Sequence, residues 1–282
     1  MMRTIPKPTL KAKDVFLECI STVDNDQLKK DYTDCQDIIV SAEEEFDTKF
    51  PLHEIFQISQ NPTVLGNIGK SEMEKVYSYR MVKDGMPGKK FYSILKSSAP
   101  YGKCPLCSVR SVDTLDHYLP KSKYPVYSVV PINLVPACTP CNKGKLISFP
   151  QNDVEQTLHP YYDNVQDESW IQATVLQTKP ISFNYYVDCP NTWSQIKKDR
   201  ASNHFNAYNL NELFTSHANE ELRGAKLHLQ KLFNQNPDLL IEHLSDAYSS
   251  RRGELGINSW QSIMYFSLLN DNWFIKGGVL KF

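Results

Sequence analysis

Two C-x-x-C pairs and the residues between them dominate the interpretation of this chain. The sequence reads CPLC at 104–107, LDHYLPKS at 115–122, INLVP at 132–136 and CTPCNKGK at 138–145. Four clustered thiolates are the ligand set of a structural zinc ion, because a tetrahedral ion so bound needs no open position. The 30 residues between the pairs exceed the roughly 15 to 20 of a simple zinc ribbon, so a further segment is inserted there. The predicted zinc ligands are Cys104, Cys107, Cys138 and Cys141.

Composition excludes several classes of protein. The 282 residues carry 31 Lys and Arg against 32 Asp and Glu, which excludes a protein that coats nucleic acid through bulk positive charge. No apolar run reaches the ~20 residues that span a bilayer, and the N-terminal residues lack the apolar stretch of a signal peptide. We therefore expect a cytoplasmic protein without membrane association, whose unclustered Cys19, Cys35 and Cys189 are ordinary packed thiols.

Hydrophobic periodicity divides the chain into three parts and predicts an α+β fold. Residues 1–98 have apolar side chains at helical spacing and are predicted to be mainly helical. Residues 99–165 are dense in proline, cysteine and short apolar runs, which is typical of a small metal-supported unit. Residues 166–282 are predicted to form a β-hairpin, with strands near 170–177 and 181–187, followed by helices.

The segment between the cysteine pairs contains the candidate catalytic residues. Taken singly, Asp116-His117 is most often a surface turn, and Asn142 before Lys-Gly is most often a helix cap or turn residue. Together with the two cysteine pairs, and in this order along the chain, these residues resemble the HNH, or His-Me finger, nuclease motif. In that family a β-hairpin carries Asp/His-His at one end and Asn in its loop, and a following helix presents a metal ligand. The resemblance implies a small ββα-metal core braced by the cysteine site and flanked by mainly helical regions.

The same resemblance implies a role for each residue of the motif. His117 would be the general base, since an imidazole with a pKa of ~6.5 can deprotonate water near neutral pH. Asp116 and Asn142 would hold one Mg²⁺ or Mn²⁺ ion through oxygen atoms, and the ion would stabilise charge on the leaving oxygen. Asn133 would not touch the ion, but its hydrogen bonds would fix the loop and orient His117.

One position departs from the family pattern. Many members have a further histidine one helical turn after the Asn142 position, where this chain has Leu146. Water would fill the place of the third ligand, or His159 of the LHPYYD segment at 158–163 would reach the ion. The missing histidine also leaves open a degenerate HNH unit in a scaffold whose helices bind a partner.

Basic residues surround the motif. Residues 99–150 contain six Lys and Arg and two Asp, a local surplus that predicts a path for phosphate groups, with a solvated lysine face as the other explanation. The candidate substrate-binding residues are Lys121, Lys123, Lys143 and Lys145.

The sequence of residues 116–145, followed by HPYYD at 159–163, is similar to that of the HNH subunits of Septu-type anti-phage defence systems, including those attached to retrons. Those subunits work beside an ATPase with an ABC-like or SMC-like head. The resemblance therefore implies an effector endonuclease whose helical flanks dock an ATPase. Family precedent favours DNA as the substrate and leaves RNA, including tRNA, open.

A non-catalytic, zinc-stabilised module that binds nucleic acid or protein is the alternative from another functional class. It explains the four cysteines and the lysines. It leaves Asp116, His117, Asn133 and Asn142 as a coincidence. Metal-dependent cleavage that is lost in a His117 variant with its zinc retained would separate the two.

Overall fold

The computed structural model describes residues 2–144 and 150–281 of the chain. The chain divides into two compact units, one formed by Thr4–Asp163 and the other by Asn164–Phe282 together with Met1–Arg3. The first unit contains both cysteine pairs and the motif between them. Helices and short two-stranded sheets occur in both units, which confirms the predicted α+β class.

Helices supply most of the first half of the unit Thr4–Asp163. Buried side chains of α1 and α3, among them Phe16 and Phe46, belong to one hydrophobic core. The Asn25 side chain caps α2 by accepting the Leu28 N–H at 2.8 Å, which satisfies one of the donors that a helix start leaves open. The elements are α1 (Ala12–Ile20), α2 (Asp26–Thr33), α3 (Gln36–Lys49), α4 (Lys70–Lys75), a π-helical segment that continues α4 (Val76–Val82), and α5 (Lys89–Ser97).

The start of α5 lies so close to its neighbours that only glycine fits there. A Cβ atom on Gly88 would lie 2.5 Å from Cys19 Sγ and 2.6 Å from the Arg80 carbonyl oxygen. Cys19 is fully buried at this contact, and burial raises the pKa of its thiol to about 12. Cys35 is buried as well, with a thiol pKa raised by burial to about 11. Both cysteines therefore behave as the packed thiols that were predicted, whereas Cys189 is only half-buried.

A short hairpin interrupts the region that was predicted to be mainly helical. Strands β1 (Thr63–Leu65) and β2 (Ile68–Gly69) pair in antiparallel fashion around a turn in which Gly66 has φ +53°. A positive φ is a conformation that glycine adopts without steric cost. Strands of two and three residues are too short to produce a recognisable alternation of side chains, so the prediction missed them.

The motif-bearing segment forms a second hairpin followed by a short helix. Strands β3 (Thr114–His117) and β4 (Leu134–Ala137) are antiparallel, with Thr114 opposite Ala137 and His117 opposite Leu134. The ladder extends by one bond, from the Tyr118 N–H to the Asn133 carbonyl at 2.9 Å. Helix α6 (Thr139–Gly144) begins directly after β4. The second cysteine pair therefore overlaps the end of the hairpin and the start of the helix.

The unit that includes Asn164–Phe282 begins with a third hairpin and continues as helices. The hairpin predicted near 170–177 and 181–187 is confirmed, because its strands pair in continuous antiparallel register. Side chains cap four of the helices that follow: Ser194, Ser259 and Asp271 accept bonds from backbone N–H groups, and Asn236 does so just before a proline at the first helical position. The elements are β5 (Ile171–Leu176), β6 (Ser182–Val187), α7 (Gln195–Ala207), α8 (Leu210–Gln235), α9 (Pro237–Leu255), α10 (Trp260–Asn270) and α11 (Asn272–Ile275).

Across residues 2–144 and 150–281, every helix falls short of the combined length and apolar character that crossing a lipid bilayer requires.

Candidate functional site

The four clustered cysteines come together as one buried group. Their Sγ atoms all lie within 4.8 Å of one another, and the Cys107 and Cys138 sulfurs are 3.9 Å apart. A disulfide needs sulfurs about 2.05 Å apart, whereas a tetrahedron with Zn–S bonds of about 2.3 Å has S–S edges of about 3.8 Å. The cluster therefore fits a structural zinc site and does not fit a disulfide. The members of the group are Cys104, Cys107, Cys138 and Cys141.

Backbone hydrogen bonds hold the cysteines in position from both sides. The Ser108 N–H donates to the Cys104 carbonyl at 2.7 Å, and the Asn142 N–H donates to the Cys138 carbonyl at 3.0 Å. Hydrogen bonding to Cys104 lowers the pKa values of Cys107 and Cys138, whereas hydrogen bonding to Cys107 raises the pKa of Cys104 and hydrogen bonding to Cys104 raises that of Cys141. Two thiols of the group therefore favour the thiolate, which is the form that binds metal, and two favour the protonated form.

Asp116 and His117 lie at the far end of β3 from the cysteines. Only 6% of Asp116 and 9% of His117 are exposed. The last ladder pair of the hairpin joins His117 to Leu134, so both polar residues are held on ordered backbone. Buried polar groups on regular structure keep a fixed direction, which is a requirement for positioned acid–base or metal chemistry.

The His117 ring is held in one tautomer by the loop that follows it. Its Nε2 atom lies 2.9 Å from the Ser128 carbonyl oxygen. Because a carbonyl oxygen only accepts, Nε2 must carry the proton, and the neutral ring then has an unprotonated Nδ1. This arrangement gives a histidine able to accept a proton at a defined atom. Sequence reasoning did not identify Ser128, since it contributes only its backbone.

Asn133 fixes the loop between β3 and β4. Its side-chain oxygen accepts the Leu119 N–H at 2.7 Å, and its Nδ2 donates to the carbonyls of Leu119 and Tyr127, each at 3.1 Å. The residue is fully buried, so all three bonds are shielded from water. The Tyr127 carbonyl is one residue before Ser128, the partner of His117. Asn133 thus organises the backbone that holds the His117 ring.

Asn142 lies on α6 against the strand that carries Asp116. Its Nδ2 is 3.4 Å from the Leu115 carbonyl, the residue immediately before Asp116. Because that carbonyl only accepts, the amide nitrogen faces it and the amide oxygen is directed elsewhere. A carboxylate and an amide oxygen on adjoining elements are the kinds of donor that Mg²⁺ and Mn²⁺ prefer. Among the described residues, Asp116 belongs to no group of three or more His, Cys, Asp or Glu side chains placed to hold a metal ion.

Tyr77 is a site residue that sequence reasoning missed. It lies in the π-helical segment Val76–Val82, and its ring centroid is 4.4 Å from that of His117 at an interplanar angle of 71°. Burial, with the nearby Tyr92 and the charge of Asp116, raises the pKa of its phenol well above the usual value. Lys121 Nζ lies 5.4 Å from the same ring centroid. Tyr77 precedes His117 by 40 residues, so no local pattern pointed to it.

His159 packs in an aromatic cluster. The ring is fully buried and lies 4.8 Å from Tyr118 and 4.9 Å from Phe50, measured between centroids. Its Nδ1 atom accepts the Tyr161 N–H at 3.1 Å. One of the two ring nitrogens is therefore engaged within the protein, and the environment is that of a core histidine. Its assignment as a metal ligand stays a prediction.

The candidate substrate-binding lysines differ in their surroundings. Lys121 and Lys123 are half-buried in the loop after β3, and Lys143 is exposed on α6. Lys121 reaches the surroundings of His117 through its contact with Tyr77. Lys145 and the family-pattern position Leu146 lie outside the described residues.

The chain is similar to a known phage protein. The chain is 30% identical to protein ea31 of Escherichia phage lambda over 229 residues, an alignment that covers 76% of this chain and 77% of the phage protein. No protein-family model matches the chain, and no solved structure matches it.

Proposed function

The chain belongs to the family of protein ea31 of Escherichia phage lambda, and we propose that it is a metal-dependent endonuclease of the HNH type that hydrolyses phosphodiester bonds in nucleic acid. The observation that carries the proposal is the state of His117, whose Nε2 is engaged by the Ser128 carbonyl. A buried histidine with a defined acceptor nitrogen beside a buried carboxylate is what a general base needs. The hairpin and α6 would be the ββα core of the HNH fold.

In this proposal His117 Nδ1 takes a proton from water. The water oxygen then forms a bond to phosphorus, and the bond from phosphorus to the sugar oxygen breaks. An imidazole is suited to this transfer because its ordinary pKa of ~6.5 lies close to neutral pH. The hydrogen bond from Nε2 to the Ser128 carbonyl prevents the ring from flipping, so Nδ1 would be the nitrogen that faces the water.

Asp116 and Asn142 would hold a single Mg²⁺ or Mn²⁺ ion. Their oxygen atoms suit such an ion, and the contact between the Asn142 amide nitrogen and the Leu115 carbonyl leaves its oxygen as the ligand. When bound, the ion would supply positive charge that stabilises the leaving oxygen. Water would complete the coordination, as Mg²⁺ commonly keeps several waters. The packing of His159 among aromatic rings supports leaving it out of this ligand set.

Asn133 and Tyr77 act as positioning residues in the proposed site. Asn133 holds the loop backbone one residue away from the carbonyl that binds His117. Tyr77 packs its ring against the imidazole and restricts ring rotation. Lys121, which lies over Tyr77, would attract the phosphate group of the substrate, with Lys123, Lys143 and Lys145 extending the basic path.

The proposal includes a place in an anti-phage defence complex with an ABC-like or SMC-like ATPase. It rests on the similarity of residues 116–145 and 159–163 to Septu-type subunits. Co-expression of the chain with an ATPase encoded beside it, followed by affinity purification, tests this part. A stable complex supports it, and separate elution of the two proteins at low salt contradicts it.

The function itself is tested with panels of DNA and tRNA in the presence of Mg²⁺ or Mn²⁺, with the chain alone and with any co-encoded ATPase. We expect cleavage by the wild type and a 10²- to 10⁴-fold loss in His117→Ala, which is the usual contribution of a general base. His217→Ala, a half-buried histidine on α8, is the matched control and should cleave normally. Zinc content is measured in parallel and should stay the same.

The competing function is a non-catalytic, zinc-stabilised module that binds nucleic acid or protein. It is supported by the same four cysteines. Wild-type protein that retains zinc and binds nucleic acid, yet cleaves nothing with either metal in any combination, would favour it over the nuclease.

A further inference from the structure

Tyr101 is the most exposed large hydrophobic side chain among the described residues, at 91%. It lies in the turn Pro100–Gly102, three residues before Cys104, and its backbone has φ +57° and ψ +19°. A non-glycine residue pays a steric cost in this left-handed region. The Tyr101 ring is therefore not part of the core, and tyrosine is not a residue type that this turn conformation favours.

The neighbouring structure explains how this conformation is maintained. The Gly102 N–H donates to the Ala99 carbonyl at 3.1 Å, and the Lys103 N–H donates to the Pro100 carbonyl at 3.1 Å. The Gly102 carbonyl in turn accepts the Val112 N–H at 2.8 Å. The turn is therefore bonded at both sides, one of which leads directly into β3. Strain that the surroundings impose is characteristic of functional positions.

The segment that carries Tyr101 has a positive charge. Residues 99–112 contain Lys103 and Arg110 and no acidic residue, and the first carboxylate after them is Asp113. Both cations are half-buried, and the Arg110 carbonyl accepts the Cys104 N–H at 2.9 Å, which fixes its backbone beside the turn. An exposed ring on a segment whose charged residues are both cations suits a base that stacks while its phosphates are neutralised.

A short stretch of chain relates this turn to the proposed active site. Val112, which bonds to Gly102, lies two residues before β3 and four residues before Asp116. Fully extended, those four residues span at most about 14 Å. A stacked nucleic-acid strand advances about 3.4 Å per nucleotide, so Val112 lies within the length of about four stacked nucleotides of Asp116.

We propose that Tyr101 is a stacking platform for an unpaired base of the nucleic-acid strand that passes the Asp116–His117 end of the hairpin. The substrate class is then single-stranded DNA or RNA, or a duplex with an unpaired base near the cleaved bond. The inference rests on the proposed nuclease function, because that function requires a nucleic-acid strand to pass Asp116 and His117. Stacking is tolerant of base identity, because every base presents a π-face.

Binding is measured by fluorescence anisotropy with the full chain carrying His117→Ala, so that cleavage cannot consume the probe. The probes are an eight-nucleotide oligothymidylate, an oligouridylate of the same length, and an abasic oligonucleotide with the same number of phosphates. We expect Tyr101→Ala to weaken binding of the base-containing probes about tenfold and Tyr101→Phe to change it less than twofold. Neither variant should alter binding of the abasic probe. The thymidine and uridine probes distinguish DNA from RNA.

Tyr186→Ala is the matched control, because Tyr186 is an exposed tyrosine on β6, 39% accessible. It should bind all probes as the parent does. Equal binding by Tyr101→Ala and the parent would overturn the inference, as would equal losses on base-containing and abasic probes. Absence of binding by the parent itself would also overturn it. The inference and the proposed function fail separately: a wild type that cleaves while Tyr101→Ala binds normally retains the nuclease without the platform.

Discussion

The two ends of the β3–β4 hairpin use different means to hold their side chains. At the end formed by Thr114 and Ala137, four sulfur atoms converge within 4.8 Å, and all four cysteines are buried. At the end formed by His117 and Leu134, the functional side chains differ in type, and the His117 ring is held by a hydrogen bond to a backbone carbonyl. A four-residue ladder joins the two ends.

The difference separates stability from chemistry. Four identical soft ligands satisfy a zinc ion completely, so the first end has no coordination position left for a substrate. The second end combines a carboxylate, an imidazole and an amide, which are groups that exchange protons or bind hard cations. Asn133 organises the loop at that end through three buried hydrogen bonds. The comparison predicts which substitutions unfold the unit Thr4–Asp163 and which impair activity alone.

The largest effect is expected from loss of a zinc ligand. Cys138→Ser removes one of four thiolates, and binding of a structural zinc ion contributes about 10–16 kcal/mol to folding in small zinc domains. We expect zinc content to fall from about one ion per chain to well below one, together with unfolding of Thr4–Asp163. Metal analysis and thermal unfolding measure the two effects. Cys189→Ser, at a half-buried lone cysteine, is the control; equal zinc content in both variants would contradict the structural role.

The next effect is expected at Asn133, which tests whether the second end depends on hydrogen bonds as the first depends on metal. Asn133→Ala leaves the Leu119 N–H and the Leu119 and Tyr127 carbonyls without this partner in a buried loop. At about 1 kcal/mol for each bond, the free energy of unfolding should fall by about 3 kcal/mol, with zinc retained. Cleavage should fall as well, because the loop no longer holds His117.

Chemical denaturation and metal analysis of the same samples check the Asn133 prediction. Asn152→Ala is the control, since Asn152 forms its hydrogen bonds with Glu155 near the surface and should change stability by less than about 0.5 kcal/mol. A loss of zinc in Asn133→Ala would mean that the two ends of the hairpin are not separable.

The sequence predicted the two ends to different degrees. The four cysteines were identified by spacing alone, since ligand type and C-x-x-C geometry are local properties. The third hairpin and the long helices of the second unit were predicted as well, because alternation and helical periodicity persist there over many residues. Strands β1 and β2 were missed because two or three residues carry no period.

The surroundings of His117 could not be predicted, because they are made by residues distant in sequence or by backbone. Tyr77 lies in a π-helical segment 40 residues earlier in the chain, and Ser128 contributes only its backbone carbonyl. Asn133 was predicted to fix the loop, and its three bonds agree with that role, although its effect on catalysis stays a prediction. The placement of His159 in an aromatic cluster likewise depends on Phe50, which lies 109 residues before it.

A smaller effect is expected at Tyr77, where the hydroxyl and the ring can be separated. Tyr77→Phe keeps the ring against His117 and removes a phenol whose pKa is raised by burial, Tyr92 and Asp116. We expect cleavage within about threefold of wild type and a stability change of about 1 kcal/mol or less. Tyr77→Leu removes the aromatic face and should lower kcat more than tenfold with KM nearly unchanged.

Steady-state kinetics on one oligonucleotide substrate check the Tyr77 prediction, and zinc content should be normal in both variants. A merely structural role would lower the amount of folded protein without changing the kcat of the folded fraction, which active-site titration measures. Equal kinetics for Tyr77→Leu and wild type would show that the ring does not position His117.

The smallest effect is expected at Tyr101, where stability and binding should change in opposite directions. Glycine adopts φ +57° without the steric cost that tyrosine pays, although it also loses more backbone entropy on folding. The net result of Tyr101→Gly should be a gain of a few tenths of a kcal/mol, or about 1 °C in Tm, with weaker binding of single strands. Tyr186→Gly makes the same chemical change in an extended strand and should lower Tm instead. Differential scanning calorimetry compares the two variants. A fall in Tm for Tyr101→Gly as large as that for Tyr186→Gly would mean that the Tyr101 ring contributes packing, and the exposed ring next to the zinc end would then belong to the fold and not to the substrate path.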